Sequence, residues 1–401
     1  MGQTPIQTVV IAGGGTGGHL IPGLAVAREL VARGVQRIVF VGTARGVERA
    51  LVPAAGFDLE LIEVGGLKRV GWQKTWRTLR ALPKAVGQCR RILSETAAPV
   101  VLGIGGYASG PMLLAAARAR RRVVLLEINA RAGLANRLAA RWADAAAVAF
   151  PETVRQFRRA VVTGVPVRQV FFSAAAPAPG DPPQLLVFGG SQGARAINQA
   201  MVAAARIWNA KGVPIRALHQ TGVGEYNRVL ELYREAGVEV ADPARGGGET
   251  AAEAYVRTAT AAKTAIRVRA FIDDMAGAMA QASLIVCRSG ASTLGELAAS
   301  GRAALLIPFP GATDAHQLRN ARAYQAAGAA AVLEQKELNG ERLAAEVEGL
   351  LAAPERRAAM ADAVRQWSRP DAAGAIADLV LESGAHSGGD AGAEGRTETR
   401  Q

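Results

Sequence analysis

At 401 residues the chain is long enough for two domains of ordinary size, each with its own apolar core. Half of its residues are apolar, 20% are charged and 5% are aromatic, which excludes a disordered chain and a disulfide-stapled miniprotein. A formal net charge of +13 favours a phosphorylated substrate, an anionic membrane surface or a polyanion, without choosing among them.

Cys89 and Cys287 stand far apart with no metal-ligand spacing, so neither a disulfide framework nor a structural zinc is expected, and a reducing cytoplasm fits. The chain starts without the basic, apolar and small-residue regions of a signal peptide. Arg or Gly interrupts every Ala-rich stretch, so no window of about 18 residues could span a bilayer, and any membrane contact is expected to be peripheral.

Short β-branched runs alternate with longer segments of helical periodicity, the rhythm of βαβ units, and the fold class is therefore α/β with parallel sheets. The expected strands are Thr8–Ala12, Arg37–Val41, Val100–Ile104, Val123–Glu127 and Ala146–Ala149 in one half. Leu185–Phe188, Ile215–Gln220, Ile266–Ala270, Leu284–Cys287 and Ala304–Pro308 follow in the other. Between the halves, the prolines and small residues of SAAAPAPGDPP mark a linker, so residues 1–163 form one domain, 164–184 the hinge region and 185–365 the second domain. Residues 241–265 read as a surface insertion, and the polar tail from Ser383 reads as disordered.

Strand TVVIA runs into GGGTGGHLIPG and a helix, so backbone N–H groups and a helix N-terminus converge where an anion could sit. Gly13, Gly15 and Gly18 satisfy G-x-G-x-x-G, but a dinucleotide site also needs an acid at the end of the second strand, and no carboxylate follows until Glu48. Three further turns repeat the arrangement: GIGGYASGP at 103–111, FGGSQGARAIN at 188–198 and CRSGASTLGEL at 287–297. Two α/β domains facing each other would line a cleft with such loops, which suits a diphosphate. In the last turn, Thr293 and Glu296 carry the T-x-x-E spacing of a capping box. The alternative is that Glu296 accepts hydrogen bonds from vicinal ribose hydroxyls.

The motifs GGGTGGHLIPGLAVA, GIGGYASGP, LEINARAGLANRLAAR, TGVPVR, VFGGSQGARAIN, AFIDDM, CRSGASTLGELAASGRAALLIPFP and DAHQLRNA occur in this order. Together they closely resemble the MurG family of peripheral membrane transferases, over about residues 6 to 380. The resemblance implies a GT-B architecture, two Rossmann-like domains facing a cleft, with a C-terminal helix at about 366–382 returning to the first domain. It implies inverting transfer of GlcNAc from UDP-GlcNAc to the C4 hydroxyl of MurNAc in lipid I, giving lipid II for peptidoglycan, at the cytoplasmic face of the bacterial membrane.

Carried over by motif, Arg168 and Ser191 resemble nucleotide and phosphate contacts, and Ile272 offers its backbone to the uracil. Ala291, Ser292, Thr293, Leu294, Gly295 and Glu296 hold phosphates and ribose. His316 and Gln317 resemble the sugar-contacting pair, as Asn129 does in the first domain, where Thr16, Gly17 and Gly18 meet donor sugar and acceptor. The sequence departs from the family in the apolar residues around Glu127 and Asn129, with Ile128 between them, and in Val165 of GVPVR.

Of the four histidines, His386 falls in the tail and His219 reads as structural. His19 begins a helix after the TGG loop and is the candidate general base, with Glu127 as partner or substitute. No DxD metal signature is present, and Asp273-Asp274 reads as a helix start, so neither a metal nor another cofactor is expected.

Eight basic residues and no acid lie between Glu63 and Glu95, interleaved with apolar ones. Trp72, Trp76 and Leu79 follow i, i+4, i+7 spacing, and with Leu67 they form the candidate contact with an anionic membrane. On its own this stripe also suits an ordinary helix packed on its domain; the resemblance favours the membrane. Competing functions are a UDP-GlcNAc 2-epimerase on the same scaffold and a nucleic-acid-binding protein. The basic residues accompany Trp and Leu rather than a groove-reading motif, so no nucleic-acid partner is expected.

Overall fold

The computed structural model describes residues 6–44, 46–64, 72–173, 183–241 and 264–385, the side chains of 72–81 and 241 excepted. The chain divides into two units. Unit 1 holds the described residues up to Val167 and those from Asp371 onward, and unit 2 runs from Arg168 to Pro370. The first boundary thus falls at 167/168, ahead of the Pro-rich stretch, most of which lies outside the described residues.

Unit 1 runs β1 (Thr8–Gly13), α1 (Gly17–Ala32), β2 (Arg37–Gly42), α2 (Glu48–Ala54), β3 (Asp58–Leu61) and α3 (Trp72–Thr96). It continues with β4 (Val100–Gly105), α4 (Ser109–Arg118), β5 (Arg122–Glu127), α5 (Leu134–Ala139), β6 (Ala145–Val148) and β7 (Ala160–Val162). The strands form one sheet in the order β3-β2-β1-β4-β5-β6-β7, and every pair is parallel.

Unit 2 begins with α6 (Val170–Ser173), β8 (Gln184–Phe188), α7 (Arg195–Lys211), β9 (Arg216–Gln220), α8 (Tyr226–Glu235), β10 (Glu239–Ala241) and β11 (Ala265–Arg269). Then come α9 (Met275–Gln281), β12 (Leu284–Cys287), α10 (Ala291–Ser300), β13 (Ala304–Leu306), α11 (His316–Ala326), β14 (Ala331–Val332), α12 (Gly340–Leu351) and α13 (Pro354–Arg365). Its sheet is again parallel throughout, in the order β10-β11-β9-β8-β12-β13-β14. The span 241–265 is therefore shorter as an insertion than its composition suggested, since Ala241 ends β10 and Ala265 opens β11.

The helix α14 (Ala372–Ala385) follows Pro370 and packs in unit 1 against α1, β4 and β5. Arg33 Nε donates to Asp378 at 2.8 Å, and a side chain at Gly384 would lie 2.4 Å from Ile6.

The cores follow from the sequence pattern. Strands covered by helices on both faces bury every side chain, so they appear as unbroken apolar runs such as Leu185–Phe188. Helix α7 buries Ile197, Met201, Ala204, Ala205 and Trp208 along one stripe. Each large apolar side chain so removed from water contributes about 1.5–3 kcal/mol. Gly212, with φ 68°, ends the helix, and Val213 N–H caps the Trp208 carbonyl at 2.9 Å.

In each sheet the chain changes direction of growth once, between β1 and β4 and between β8 and β12. The four glycine turns are the loops that follow these four strands. The fold thus gathers them at the two crevices where open α/β sheets bind ligands.

Candidate functional site

In unit 1 the two glycine loops lock together. Gly14 N–H donates to the Gly105 carbonyl at 3.1 Å, and a Cβ at Gly13 would stand 2.2 Å from that oxygen. Gly106, with φ +85°, comes so close that a Cβ would lie 2.3 Å from the Gly14 carbonyl.

Beneath the first loop sits Glu48, 1% exposed. Its Oε2 accepts from Gly15 N–H at 2.8 Å, and its Oε1 from Thr43 N–H at 2.8 Å and Thr43 Oγ1 at 3.0 Å. Gly14, Gly42 and Gly46 surround it with no room for a side chain. The first loop was expected to offer converging amides to an anion, but Glu48 already occupies Gly15 N–H. The acid that arrived too late to read a ribose is an internal brace.

Thr16 opens α1 without a side-chain cap bond and is exposed, as is Gly18, while Gly17 is partly buried. His19 lies in the first turn, half-buried, with its imidazole against the backbone of Gly105; a Cβ there would stand 3.0 Å from Nδ1.

Glu127 is 2% exposed at the end of β5. Oε1 accepts from Asn129 N–H at 3.0 Å and Nδ2 at 3.1 Å, and Oε2 from Gly133 N–H at 2.8 Å and Asn136 Nδ2 at 3.0 Å. A carboxylate saturated by its own loop orders residues 127–136; the expectation that it partners or replaces His19 as base finds no support in this geometry. Asn129 is held here with its carbonyl accepting from Thr153 Oγ1 at 3.1 Å. The apolar replacements Leu125, Leu126 and Ile128 are all buried.

In unit 2 the loop after β8 carries exposed Ser191. Gly193, with φ +73°, lies so near the loop after β9 that a Cβ would stand 1.8 Å from the Thr221 carbonyl. Below it is a buried polar chain. Asn198 Nδ2 donates to the Thr221 carbonyl at 3.0 Å, His219 Nε2 donates to Asn198 Oδ1 at 3.1 Å, and Tyr233 Oη donates to His219 Nδ1 at 2.8 Å. Burial lowers the His219 pKa to about 3, so this histidine is a neutral framework residue. Gln220 joins two loops: its Nε2 donates to the Gly190 carbonyl at 3.0 Å, and its Oε1 accepts from Ile272 N–H at 2.8 Å.

Helix α10 holds the remaining candidates. Its N-cap is Gly290, so Thr293 and Glu296 both lie within the helix and the capping-box reading of their spacing is wrong. Ala291 and Leu294 are buried, as is Gly295, while Ser292, Thr293 and Glu296 are partly exposed. Burial pushes the Glu296 pKa up to about 7, opposed by the positive charge of Arg168, which belongs to the same unit. A carboxyl near a cation and poised at neutrality is a functional candidate. Arg168 is exposed, with Cζ 5.1 Å from the Phe171 ring centre.

Arg288, whose pKa burial lowers to about 10, donates to the carbonyls of Ile307 at 3.1 Å and Pro308 at 3.2 Å. Ser289 Oγ donates to the Gln317 carbonyl at 2.8 Å, and Gln317 Oε1 accepts from Phe309 N–H at 3.0 Å. That bond fixes the Gln317 amide with its NH₂ as the donor. His316 Nδ1 meets the Thr313 carbonyl at 2.7 Å, after Asp314 and Ala315 at φ 53° and 51°. Two non-glycine residues in the left-handed region mark a strained entry to this helix.

Asp274 caps α9 through Gly277 N–H at 2.8 Å. Among the described residues no three His, Cys, Asp or Glu side chains gather as a metal site, and no helix is long and apolar enough to cross a membrane. Trp72, Trp76 and Leu79 lie on α3, but their side chains, and all of Leu67, fall outside the described residues.

Residues 9–148 match the glycosyltransferase family 28 N-terminal domain and residues 184–376 the family 28 C-terminal domain. The UDP-N-acetylglucosamine–N-acetylmuramyl-(pentapeptide) pyrophosphoryl-undecaprenol N-acetylglucosamine transferase of Solibacter usitatus is 41% identical, over 94% of this chain and 97% of its own. The protein of that name from Myxococcus xanthus is 38% identical, over 94% and 93%.

The crystal structure of Acinetobacter baumannii MurG superposes with a TM-score of 0.74 at 30% identity, over 94% of this chain and 99% of that one. A UDP-GlcNAc 2-epimerase from Neisseria meningitidis, at 11% identity and a TM-score of 0.60, shares the fold alone. With both domains of the family present in order and relatives this similar over nearly the whole length, the chain belongs to glycosyltransferase family 28, within the MurG group.

Proposed function

We propose that this chain transfers N-acetylglucosamine from UDP-GlcNAc to the C4 hydroxyl of the N-acetylmuramoyl unit of lipid I, giving lipid II for peptidoglycan. The observation that carries the donor half is Glu296, a partly exposed carboxyl within α10, beside the cation of Arg168 and after a glycine turn at the switch point of the unit 2 sheet. A carboxylate there accepts from two vicinal ribose hydroxyls, and the helix N-terminus and Arg168 meet the diphosphate.

Inversion by single displacement needs three things: a deprotonated acceptor hydroxyl, support for an oxocarbenium-like sugar, and stabilisation of the departing UDP. Unit 2 supplies the last through backbone N–H groups, the α10 N-terminus and Arg168. The Gln317 NH₂ donates to a sugar hydroxyl, with His316 beside it. In unit 1, His19 takes the acceptor proton, while Glu127 holds the loop that presents Asn129. The lipid-linked acceptor places the enzyme at the membrane surface, where the basic, Trp-bearing start of α3 contacts anionic lipid from the cytoplasmic side as a peripheral protein.

The deciding assay supplies UDP-GlcNAc with a soluble short-chain lipid I analogue and follows UDP release together with disaccharide formation. Stoichiometric formation of both supports the reading. UDP-ManNAc formed from UDP-GlcNAc alone, with no disaccharide, would replace it with an epimerase.

A further inference from the structure

We propose that Phe309 is the platform of the donor sugar: the open face of its ring takes the C–H face of the pyranose whose hydroxyls Gln317 meets. This rests on the donor reading above and adds to it an apolar contact that acts on the sugar and not on the nucleotide.

Phe309 follows β13, at the carboxyl end of the unit 2 sheet, and is 45% exposed. A lone exposed apolar side chain needs no explanation in itself. This one differs in being held still. Its N–H donates to Gln317 Oε1 at 3.0 Å and its carbonyl accepts from Ala312 N–H at 3.2 Å, so its backbone is pinned on both sides.

The ring is fixed as well. Arg288 stands over one face, with Cζ 5.3 Å from the ring centre. That guanidinium is itself immobilised by the carbonyls of Ile307 and Pro308 and by Gln335 Oε1, to which Nη2 donates at 2.8 Å. At the tip of the ring, the backbone of Gly311 lies so close that a Cβ would stand 2.8 Å from Cζ. The surface left to water is therefore the face turned away from Arg288. Asp314 and Ala315, between Phe309 and Gln317, hold left-handed backbones of the kind retained at ligand clamps.

The bond between Phe309 and Gln317 sets ring and amide side by side. A pyranose offers two kinds of surface, a rim of hydroxyls and a face of C–H bonds, and this pair matches both: the Gln317 NH₂ meets the rim and the ring covers the face. UDP has no pyranose, so the contact is made with the nucleotide sugar and lost once the sugar has left.

The test measures UDP-GlcNAc and UDP binding by calorimetry in the wild type, Phe309→Leu and Phe309→Trp. Phe309→Leu keeps an apolar side chain and the backbone bond to Gln317 but removes the aromatic face. It is expected to raise the UDP-GlcNAc Kd about tenfold and to leave the UDP Kd within about twofold. Phe309→Trp keeps an aromatic face and adds a reporter: relative to the wild type, its extra emission should shift with UDP-GlcNAc and not with UDP. In a Gln317→Ala background, Phe309→Leu should raise the UDP-GlcNAc Kd by a further threefold or more, roughly.

An unchanged UDP-GlcNAc Kd in Phe309→Leu overturns the proposal, and so do equal losses for both ligands, which are what a merely structural residue gives. No further loss in the Gln317→Ala background also overturns it, since Phe309 would then act only by holding Gln317. If Phe309→Leu fails to fold, Phe309→Trp decides alone: an emission shift with UDP-GlcNAc but not UDP supports the proposal, and the absence of one overturns it. A wild-type protein that binds no UDP overturns the donor reading itself, and this proposal with it.

Discussion

The glycine loops after β1 and after β8 look alike in sequence, both following a buried parallel strand and opening a long helix, yet they are held in opposite ways. The loop of unit 1 rests on a carboxylate: Glu48 takes Gly15 N–H and both polar groups of Thr43. The loop of unit 2 rests on neutral groups, the Gln220 amide and the Tyr233–His219–Asn198 chain.

A second negative charge about 5 Å from Glu48 would be repelled by about 3 kcal/mol at an effective dielectric of about 20. Among the described residues, no carboxylate hydrogen-bonds to the loop of unit 2. Under the proposed donor reading, glycine content does not separate the two loops, whereas the charge of the support does.

The largest expected effect tests how tightly the unit 2 loop is seated. Gly193→Ala should cost about 4 kcal/mol in urea unfolding, since its Cβ would strike the Thr221 carbonyl in a left-handed backbone. Gly190→Ala, with φ +95° but open space, should cost only about 1 kcal/mol. Equal costs would mean that the close approach does not hold in solution.

Next, Glu48→Ala should lower stability by about 2 kcal/mol, because it strands the part-buried N–H groups of Gly15 and Thr43, while leaving the UDP Kd unchanged. Tighter UDP binding by this variant would break the contrast, since it would place the diphosphate over Glu48.

Glu296→Ala should weaken UDP binding about thirtyfold, measured by calorimetry at pH 8, as the ribose loses its acceptor. The pH dependence has a definite sign. With the Glu296 pKa raised to about 7, acidification protonates the group, so UDP affinity should fall by up to about tenfold per pH unit below 7. In Glu296→Gln that slope should vanish.

The smallest effect concerns the thiols. Burial pushes Cys89 up to about 12 and Cys287 higher still, so an Ellman titration of the native protein should stay silent for hours.

Ten strands were legible because they are buried on both faces. The four that were not, β3, β7, β10 and β14, are the four sheet edges. The edge runs are short and partly exposed: Asp58–Leu61 alternates acids with leucines, and Ala160–Val162 is apolar but only three residues long. The motif loops were legible, but their supports were not. Glu48 reaches Gly15 across 33 positions and Gln220 reaches Ile272 across 52, distances at which no local pattern operates. Thr293 and Glu296 misled for the converse reason: a local spacing suggested a cap, while the helix began at the preceding glycine.

Because α14 closes unit 1 with residues that follow all of unit 2, the two units cannot mature in the order in which they are made. At about 5–20 residues per second, the ribosome takes about 10–40 s to make the intervening segment, and unit 1 waits that long for its last helix. During the wait, the groove over α1, β4 and β5 stays uncovered while unit 2, one continuous stretch, is free to complete itself first. Truncation after Pro370 should therefore harm the sheet that was translated first rather than the one beside the cut.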